Sequence, residues 1–342
     1  MHAPWVGPVV GIVGPTASGK SDLAIAIARL ISDAPASGAD HGPGGSSQAT
    51  LGSAEVISAD SVQLYAGMDI GSGKVTPAER VDIPHHLLDV LAVTDDASVA
   101  LVQRLARAAI ADCRSRGVLP LVVGGSALYM RAVLDRLEIP PTDPDVRARL
   151  ELEAERIGAL ALHQRLAAVD AESAAQILPG NVRRVVRALE AIELTGTFSA
   201  SLPPPEYALG PTLQLGLRVD TGELGRRIEA RVDRMFAAGL VEEVAELSKA
   251  GLVESRTARK ALGYAQVLDL LAGRCTVEEA RAATVAATRR FARRQMQWWR
   301  RDPRISWLDP RTDDLAGQAL GLIRRFAADT EPGTRSPDTS RP

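Results

Sequence analysis

The chain has 342 residues, 46% of them apolar, and a formal net charge of −2. On a soft prior of ~150 residues per domain this is one large domain or two smaller ones, and the near-neutral total, taken alone, argues against a nucleic-acid partner. No apolar run approaches the ~18–20 residues of a membrane-spanning helix, no signal peptide is apparent, and Cys113 and Cys275 fit neither a zinc spacing nor a disulfide framework; the expectation is a cytoplasmic enzyme away from any membrane.

Val9 to Val13 is a short apolar run and reads as a buried strand. A Gly-rich loop follows, then a helix from Asp22 to about Ile31. Asp33 to Ala54 is Gly-, Ser-, Pro- and Ala-rich and reads as a flexible surface insertion. Glu55 to Ala59 is a second strand, ending at Asp60, and Leu87 to Leu91 is a candidate third. Ser98 to Arg116 has helical spacing at Val102, Leu105, Ala109 and Cys113 and stops at Gly117. Leu119 to Val123 is a further strand, closed by Gly124-Gly125. Strands alternating with helices predict an α/β fold, a P-loop NTPase-like core whose parallel sheet is covered on both faces.

The pattern changes at the breaker cluster Pro140-Pro141-Thr142-Asp143-Pro144. Asp145 to Gly196 reads as consecutive helices, and Leu213 to Val219 alternates as a strand that returns to the sheet. The organisation is therefore core over 1–138, helical insertion over 139–212, a second, mainly helical core segment over 213–328, and a polar, disordered tail over 329–342. Gly222 to Arg300 is helical. Positive charge is almost all arginine, and Arg281 to Arg304 holds eight arginines against one acid, Asp302. Arginine forks match phosphates, although a solvated helix face explains the same pattern about as well.

Gly14-Pro15-Thr16-Ala17-Ser18-Gly19-Lys20-Ser21 matches the Walker A pattern fully, between a strand and a helix. Its glycines let backbone N–H groups turn toward phosphate oxygens, and the helix N-terminus adds its dipole. Lys20 supplies a point charge to the terminal phosphate and Ser21 a hydroxyl for Mg²⁺. The loop alone is compatible with ATP binding. ATPases place a Mg²⁺-organising acid at the end of a later strand, where this chain has Gly124-Gly125-Ser126. The acid that does end a strand is Asp60. In open α/β sheets the strand C-termini face the ligand crevice, which puts Asp60 with the phosphates. Capping the next turn is its competing role.

These residues, with Ile57-Ser58-Ala59-Asp60-Ser61-Val62-Gln63-Leu64-Tyr65 and Gly67-Met68-Asp69-Ile70-Gly71, resemble bacterial tRNA dimethylallyltransferases. Further matches are Pro84-His85-His86-Leu87, Val123-Gly124-Gly125-Ser126 with Leu128-Tyr129, and Asp143-Pro144-Asp145-Val146-Arg147. Asn181 to Glu190, Arg227-Ile228-Glu229-x-Arg231, Gly263-Tyr264 and Arg293-Arg294-Gln295 extend the resemblance over about residues 8 to 310. It departs from the family in the long stretch 33–54 and in Ser126, where most members carry Thr. The Cys₂His₂ spacing of eukaryotic relatives is absent.

The resemblance implies transfer of a dimethylallyl group from its diphosphate to N6 of adenosine 37 in tRNAs reading codons that start with U. It implies that the loop binds dimethylallyl diphosphate, not ATP. In this reading Asp60 is the general base, and Lys20, the loop amides, Mg²⁺ on Ser21, and Arg231 neutralise the leaving group. Ser61, Val62, Gln63 and Ser126 are hydrogen-bonding or contact partners of the flipped adenosine. Arg147, Arg183, Arg184 and Arg187 contact the anticodon stem–loop as the insertion closes over it, and the enzyme is a monomer. For Arg231 the competing role is a surface ion pair with Glu223 or Glu229. Trp298 and Trp299 read as core rather than as RNA contacts. A small-molecule P-loop kinase, a prenyltransferase for free adenine nucleotides, and a non-enzymatic tRNA-binding module are the alternatives.

Overall fold

The computed structural model describes residues 7–33 and 51–330, so most of the 33–54 stretch and the tail from residue 331 lie outside the described residues. Contacts divide the chain into two compact units, one of 1–135 with 207–342 and one of 136–206.

In the larger unit β1 (Val9–Val13) leads through the Gly-rich loop to α1 (Lys20–Ser32). Then come β2 (Ala54–Ser58), the single-turn α2 (Pro77–Arg80), β3 (His85–His86), α3 (Val99–Ser115), β4 (Leu119–Gly124) and α4 (Ala127–Leu134). With β5 (Thr212–Leu217) and β6 (Ile305–Leu308) from later in the chain, the six strands among the described residues are all parallel, in the order β3-β2-β4-β1-β5-β6. The expected strand at Leu87 to Leu91 is not one. Leu87 and Asp89 have φ of 62° and 58°, so the extended backbone ends after His86. The strand periodicity explains the layers. Val10 and Ile12 join the cluster under α1, while Val9 and Val13 face α3 and α4. Ser98 caps α3 by accepting the Leu101 N–H, as its position before the apolar spacing requires.

The smaller unit is all helical: α5 (Pro144–Ile157), α6 (Ala159–Val169), α7 (Ala171–Gln176) and α8 (Val182–Thr195). Asp143 accepts the Asp145 and Val146 N–H groups with Pro144 as the first helical residue, so the breaker cluster is also a helix start. Leu150, Leu162, Leu166, Val185 and Leu189 form its core.

The chain leaves the larger unit at Asp135 and returns at Tyr207, and these two residues form a β-bridge. This bridge puts the limits of the helical unit a few residues before the 139–212 read from the breakers. Asp135 is 1% exposed; Arg304 binds both its carboxylate oxygens, Arg131 adds a second ion pair, and the Arg304 guanidinium stacks on the Tyr207 ring.

After the return come β5 (Thr212–Leu217), α9 (Thr221–Ala237), α10 (Leu240–Lys249), α11 (Tyr264–Leu271), α12 (Val277–Trp299), β6 (Ile305–Leu308) and α13 (Leu315–Thr330). The last two are not foreseen from the sequence. Four residues of β6 are held by pairing with β5 from Gln214↔Ile305 to Leu217↔Leu308, and α13 packs Leu320 and Ile323 beside α1. Asp329 and Thr330, which the sequence reading placed in the disordered tail, instead close α13.

Candidate active site

Strand register builds the site. Val13 is opposite Gly124, and Val123 is opposite Ser58. The next residues, Gly14, Gly125 and Ala59-Asp60, therefore form one row at the carboxyl edge of the sheet. The Ala59 N–H donates to the Val123 carbonyl at 2.8 Å, which carries the β2–β4 ladder up to Asp60. A side chain at Gly124 would force its neighbours to shift. A Cβ there would lie 2.6 Å from Met130 Sδ and 3.1 Å from the Ala59 carbonyl oxygen.

The phosphate loop is shaped for an anion. Gly19 is in the left-handed region at φ 91° and no side chain caps α1, which leaves the first helical amides for a ligand. The Ser18 hydroxyl oxygen is buried with no hydrogen-bond partner among the described residues, a cost that a bound oxygen acceptor removes. Lys20 Nζ donates to the Pro15 carbonyl at 2.7 Å. Burial, and then the nearby Arg231 charge, bring the Lys20 ammonium down to about 8, with Asp60 acting in the opposite direction. Burial likewise lowers Arg231, offset in part by Asp60. Lys20, Arg231 and Asp60 thus lie within electrostatic reach of one another.

Asp60 does cap the next turn. Its Oδ1 accepts the N–H groups of Val62 at 2.8 Å and Gln63 at 3.4 Å. This fixes the carboxylate at the strand end and is compatible with a second role. The Gln63 amide is held on both ends, accepting from Ser58 Oγ at 2.9 Å and donating to the Gly73 carbonyl at 3.4 Å. Ser61, Val62 and Ser126 are partly exposed. Ser126 precedes α4, yet its hydroxyl makes no capping bond.

The ion pair considered for Arg231 belongs to its neighbours. Glu223 pairs with Arg226 and Arg227, and Glu229 pairs with Arg289. Arg231 instead donates from Nη2 to the Ser72 carbonyl at 3.1 Å. Gly73, at φ 60°, makes room: a Cβ there would sit 2.0 Å from Arg231 Nη2.

With this geometry in view, the comparisons with known proteins are specific. Residues 63–302 match the family model described as IPP transferase. The chain belongs to the IPP transferase family. A tRNA dimethylallyltransferase of Kineococcus radiotolerans is 55% identical, with 92% of this chain and 96% of that protein covered. One of Thermobifida fusca is 54% identical, covering 92% and 94%. The crystal structure of the tRNA isopentenylpyrophosphate transferase of Bacillus halodurans superposes with a TM-score of 0.63 at 35% identity, over 94% of this chain and 96% of that one. A eukaryotic dimethylallyltransferase solved acting on tRNA shares the fold, with a TM-score of 0.72 at 22% identity over 96% and 81% of the two chains.

Two residues that tie this site to α12 have no site role in the sequence reading. Gln295 Oε1 accepts the Thr16 N–H of the phosphate loop at 2.9 Å, and Trp299 Nε1 donates to the Gly125 carbonyl at 3.1 Å. The motif Arg293-Arg294-Gln295 was the available signal for the first. Trp299 is buried in the core, as expected, whereas Trp298 is 49% exposed.

In the helical unit the arginines divide. Arg147 and Arg187 both pair with the fully buried Glu190, at 2.6 and 2.9 Å, and Arg187 also donates to the Pro140 and Pro141 carbonyls. Burial pushes the Glu190 carboxyl up, but the Arg147, Asp143 N–H and Arg187 bonds outweigh it and leave it below the usual range. The cluster keeps one net positive charge. Arg184 donates to the Ala200 carbonyl, and both Arg183 and Arg184 are exposed.

Glu55, His86 and Cys113 are the described residues whose donor atoms converge as a metal site would need. Both Glu55 oxygens are already bound by Arg116, at 2.7 and 2.8 Å, and His86 Nε2 lies 2.7 Å from Oε2. The Arg116 bonds bring Glu55 down to about 2, and burial and Glu55 push the Cys113 thiol up to about 12. The cluster is a hydrogen-bonded buttress across β2, β3 and α3.

Proposed function

We propose that this chain transfers the dimethylallyl group of dimethylallyl diphosphate to N6 of adenosine 37 in tRNAs reading codons that start with U, releasing diphosphate. The observation that carries this reading is the row Gly14–Gly125–Asp60 at the sheet edge, which sets a phosphate loop beside a carboxylate with Lys20 and Arg231 in electrostatic reach. The membership in the IPP transferase family supports it.

In this mechanism the N6 lone pair attacks the allylic C1, the C1–O bond breaks, and its electrons leave with the diphosphate. Asp60 accepts the N6 proton as the new C–N bond forms. Lys20, the loop amides from Gly14 to Ser21, the Ser18 hydroxyl and Arg231 stabilise the leaving polyanion. Mg²⁺ is a hard cation that takes few protein ligands beside phosphates; the Ser21 hydroxyl fits that demand, and the ion would neutralise further charge on the diphosphate. Adenosine must leave its stack, which is cheapest in an unpaired loop. Ser61, Val62, Gln63 and Ser126 contact it, and Arg183, Arg184 and the Arg147–Arg187 pair supply positive charge to the RNA backbone.

Purified protein incubated with dimethylallyl diphosphate should prenylate an unmodified anticodon stem–loop and leave AMP unmodified. Prenylation of AMP alone, or ATP hydrolysis with no prenylated RNA, would overturn the reading.

A further inference from the structure

The motif Gly67-Met68-Asp69-Ile70-Gly71 has no place in the mechanism above, yet the loop it opens holds two site residues. The Ser72 carbonyl accepts from Arg231, and the Gly73 carbonyl accepts from Gln63. A carboxylate on α10 anchors the start of the loop. Glu243 Oε2 accepts the N–H groups of Asp69 and Ile70 at 3.1 and 2.7 Å, and Oε1 accepts that of Gly71 at 3.3 Å. Three successive amides aimed at one anion form a concave nest, filled here by the protein's own side chain. The Tyr264 hydroxyl donates to Glu243 Oε1 at 2.6 Å and accepts the Ser72 N–H. Burial, together with the Glu243 charge, keeps that hydroxyl protonated, so it stays a donor. Gly71 is an obligate glycine, because a Cβ would lie 2.5 Å from Tyr264 Cε2. At the far end of the loop the buried Lys74 ammonium binds the Tyr65 carbonyl, Asp69 and Asp89 at 2.9, 2.6 and 2.5 Å.

We propose that Glu243, with Tyr264, is a positioning residue for prenyl transfer: it fixes the loop from Asp69 to Gly73 so that the Ser72 carbonyl holds the Arg231 guanidinium where the leaving diphosphate forms. The inference rests on the prenyl-transfer reading. Hydrogen bonds of this kind act through geometry, and a small displacement of a group that meets developing charge is costly. Glu243→Gln keeps the shape but turns an N–H₂ toward amides that need an acceptor, and Tyr264→Phe removes one bond only.

The test is a double-mutant cycle on full-length protein, with pyrophosphate titrations and single-turnover prenylation of a stem–loop RNA. Glu243→Gln is expected to lower kcat about 10- to 100-fold and to weaken pyrophosphate, with RNA affinity unchanged; Tyr264→Phe should do the same more weakly. In an Arg231→Ala background the Glu243→Gln effect should shrink to less than about twofold, because the group it positions is gone. Equal losses in the two backgrounds, or wild-type turnover in both single variants, would overturn the assignment. Where Glu243→Gln does not fold, the Tyr264→Phe and Arg231→Ala cycle decides on the same criterion. Wild-type protein with no affinity for pyrophosphate would instead overturn the reading of the loop, and this inference with it.

Discussion

Lys20 makes donor binding depend on pH in a way set by its neighbours. In the free protein its ammonium is held at about 8, by burial first and the Arg231 charge second. The charged fraction therefore falls from about nine-tenths at pH ~7 to about one-tenth at pH ~9, while a phosphate ester has lost its last proton near pH ~6. A diphosphate on the loop favours the ammonium, so binding takes up a proton above pH ~8. Affinity should drop about tenfold between pH ~7 and pH ~9. The stability contribution of the same group has the opposite sign. The unfolded chain carries Lys20 at its ordinary 10.5 and binds more protons between about 8 and 10.5, so this contribution to folding rises with pH in that window. Calorimetric titration of dimethylallyl diphosphate, without RNA, in buffers of different ionisation enthalpy counts the proton directly. Arg231→Ala should move the midpoint up and Asp60→Asn should move it down, since those charges act on Lys20 in those senses. A flat affinity over the range, or midpoints that move the other way, would refute the electrostatic account of the cavity.

Asp60→Asn keeps the capping acceptor for Val62 and Gln63 and should lower turnover on the order of 10²- to 10⁴-fold with little change in RNA affinity; a variant that loses affinity but turns over normally at saturation would make Asp60 a binding residue. Gly73→Ala puts a Cβ 2.0 Å from Arg231 Nη2 at a φ of 60°. It should cost about 1–2 kcal/mol of stability from the left-handed backbone and lower turnover by about one to two decades as the guanidinium is displaced; normal steady-state kcat would show that Arg231 is not needed where it stands. Trp299→Ala should cost about 3–5 kcal/mol in urea unfolding, whereas Trp298→Ala, at a half-exposed position, should stay within about 0.5 kcal/mol.

The parts of this protein legible in its sequence are those whose cause is local. An apolar pentapeptide, a Gly-rich turn and a helix are contiguous, so β1, the phosphate loop and α1 follow from residue order and backbone chemistry, with α1 starting at Lys20, two residues before the Asp22 read from the sequence. The same holds for Ser98 and Gly117 bracketing α3, because a cap and the amide it satisfies lie within three residues. The strand-end position of Asp60 was also readable, since it needs only the length of an apolar run.

Tertiary structure decided the rest. β6 is four residues long and stands only because β5 offers it a ladder. Arg227 and Arg231 lie on one face of α9 with the same side chain, and spacing cannot separate them. One meets Glu223 on its own helix, and the other meets the Ser72 carbonyl, 159 positions away. Glu243 and Gln295 carried no motif that assigns a role, because what each does depends on which distant backbone amides the fold brings to its oxygen. Local hydrogen bonds are specified by the few residues that make them. Bonds between distant residues are specified by strand register and helix packing, which no short stretch of the chain contains.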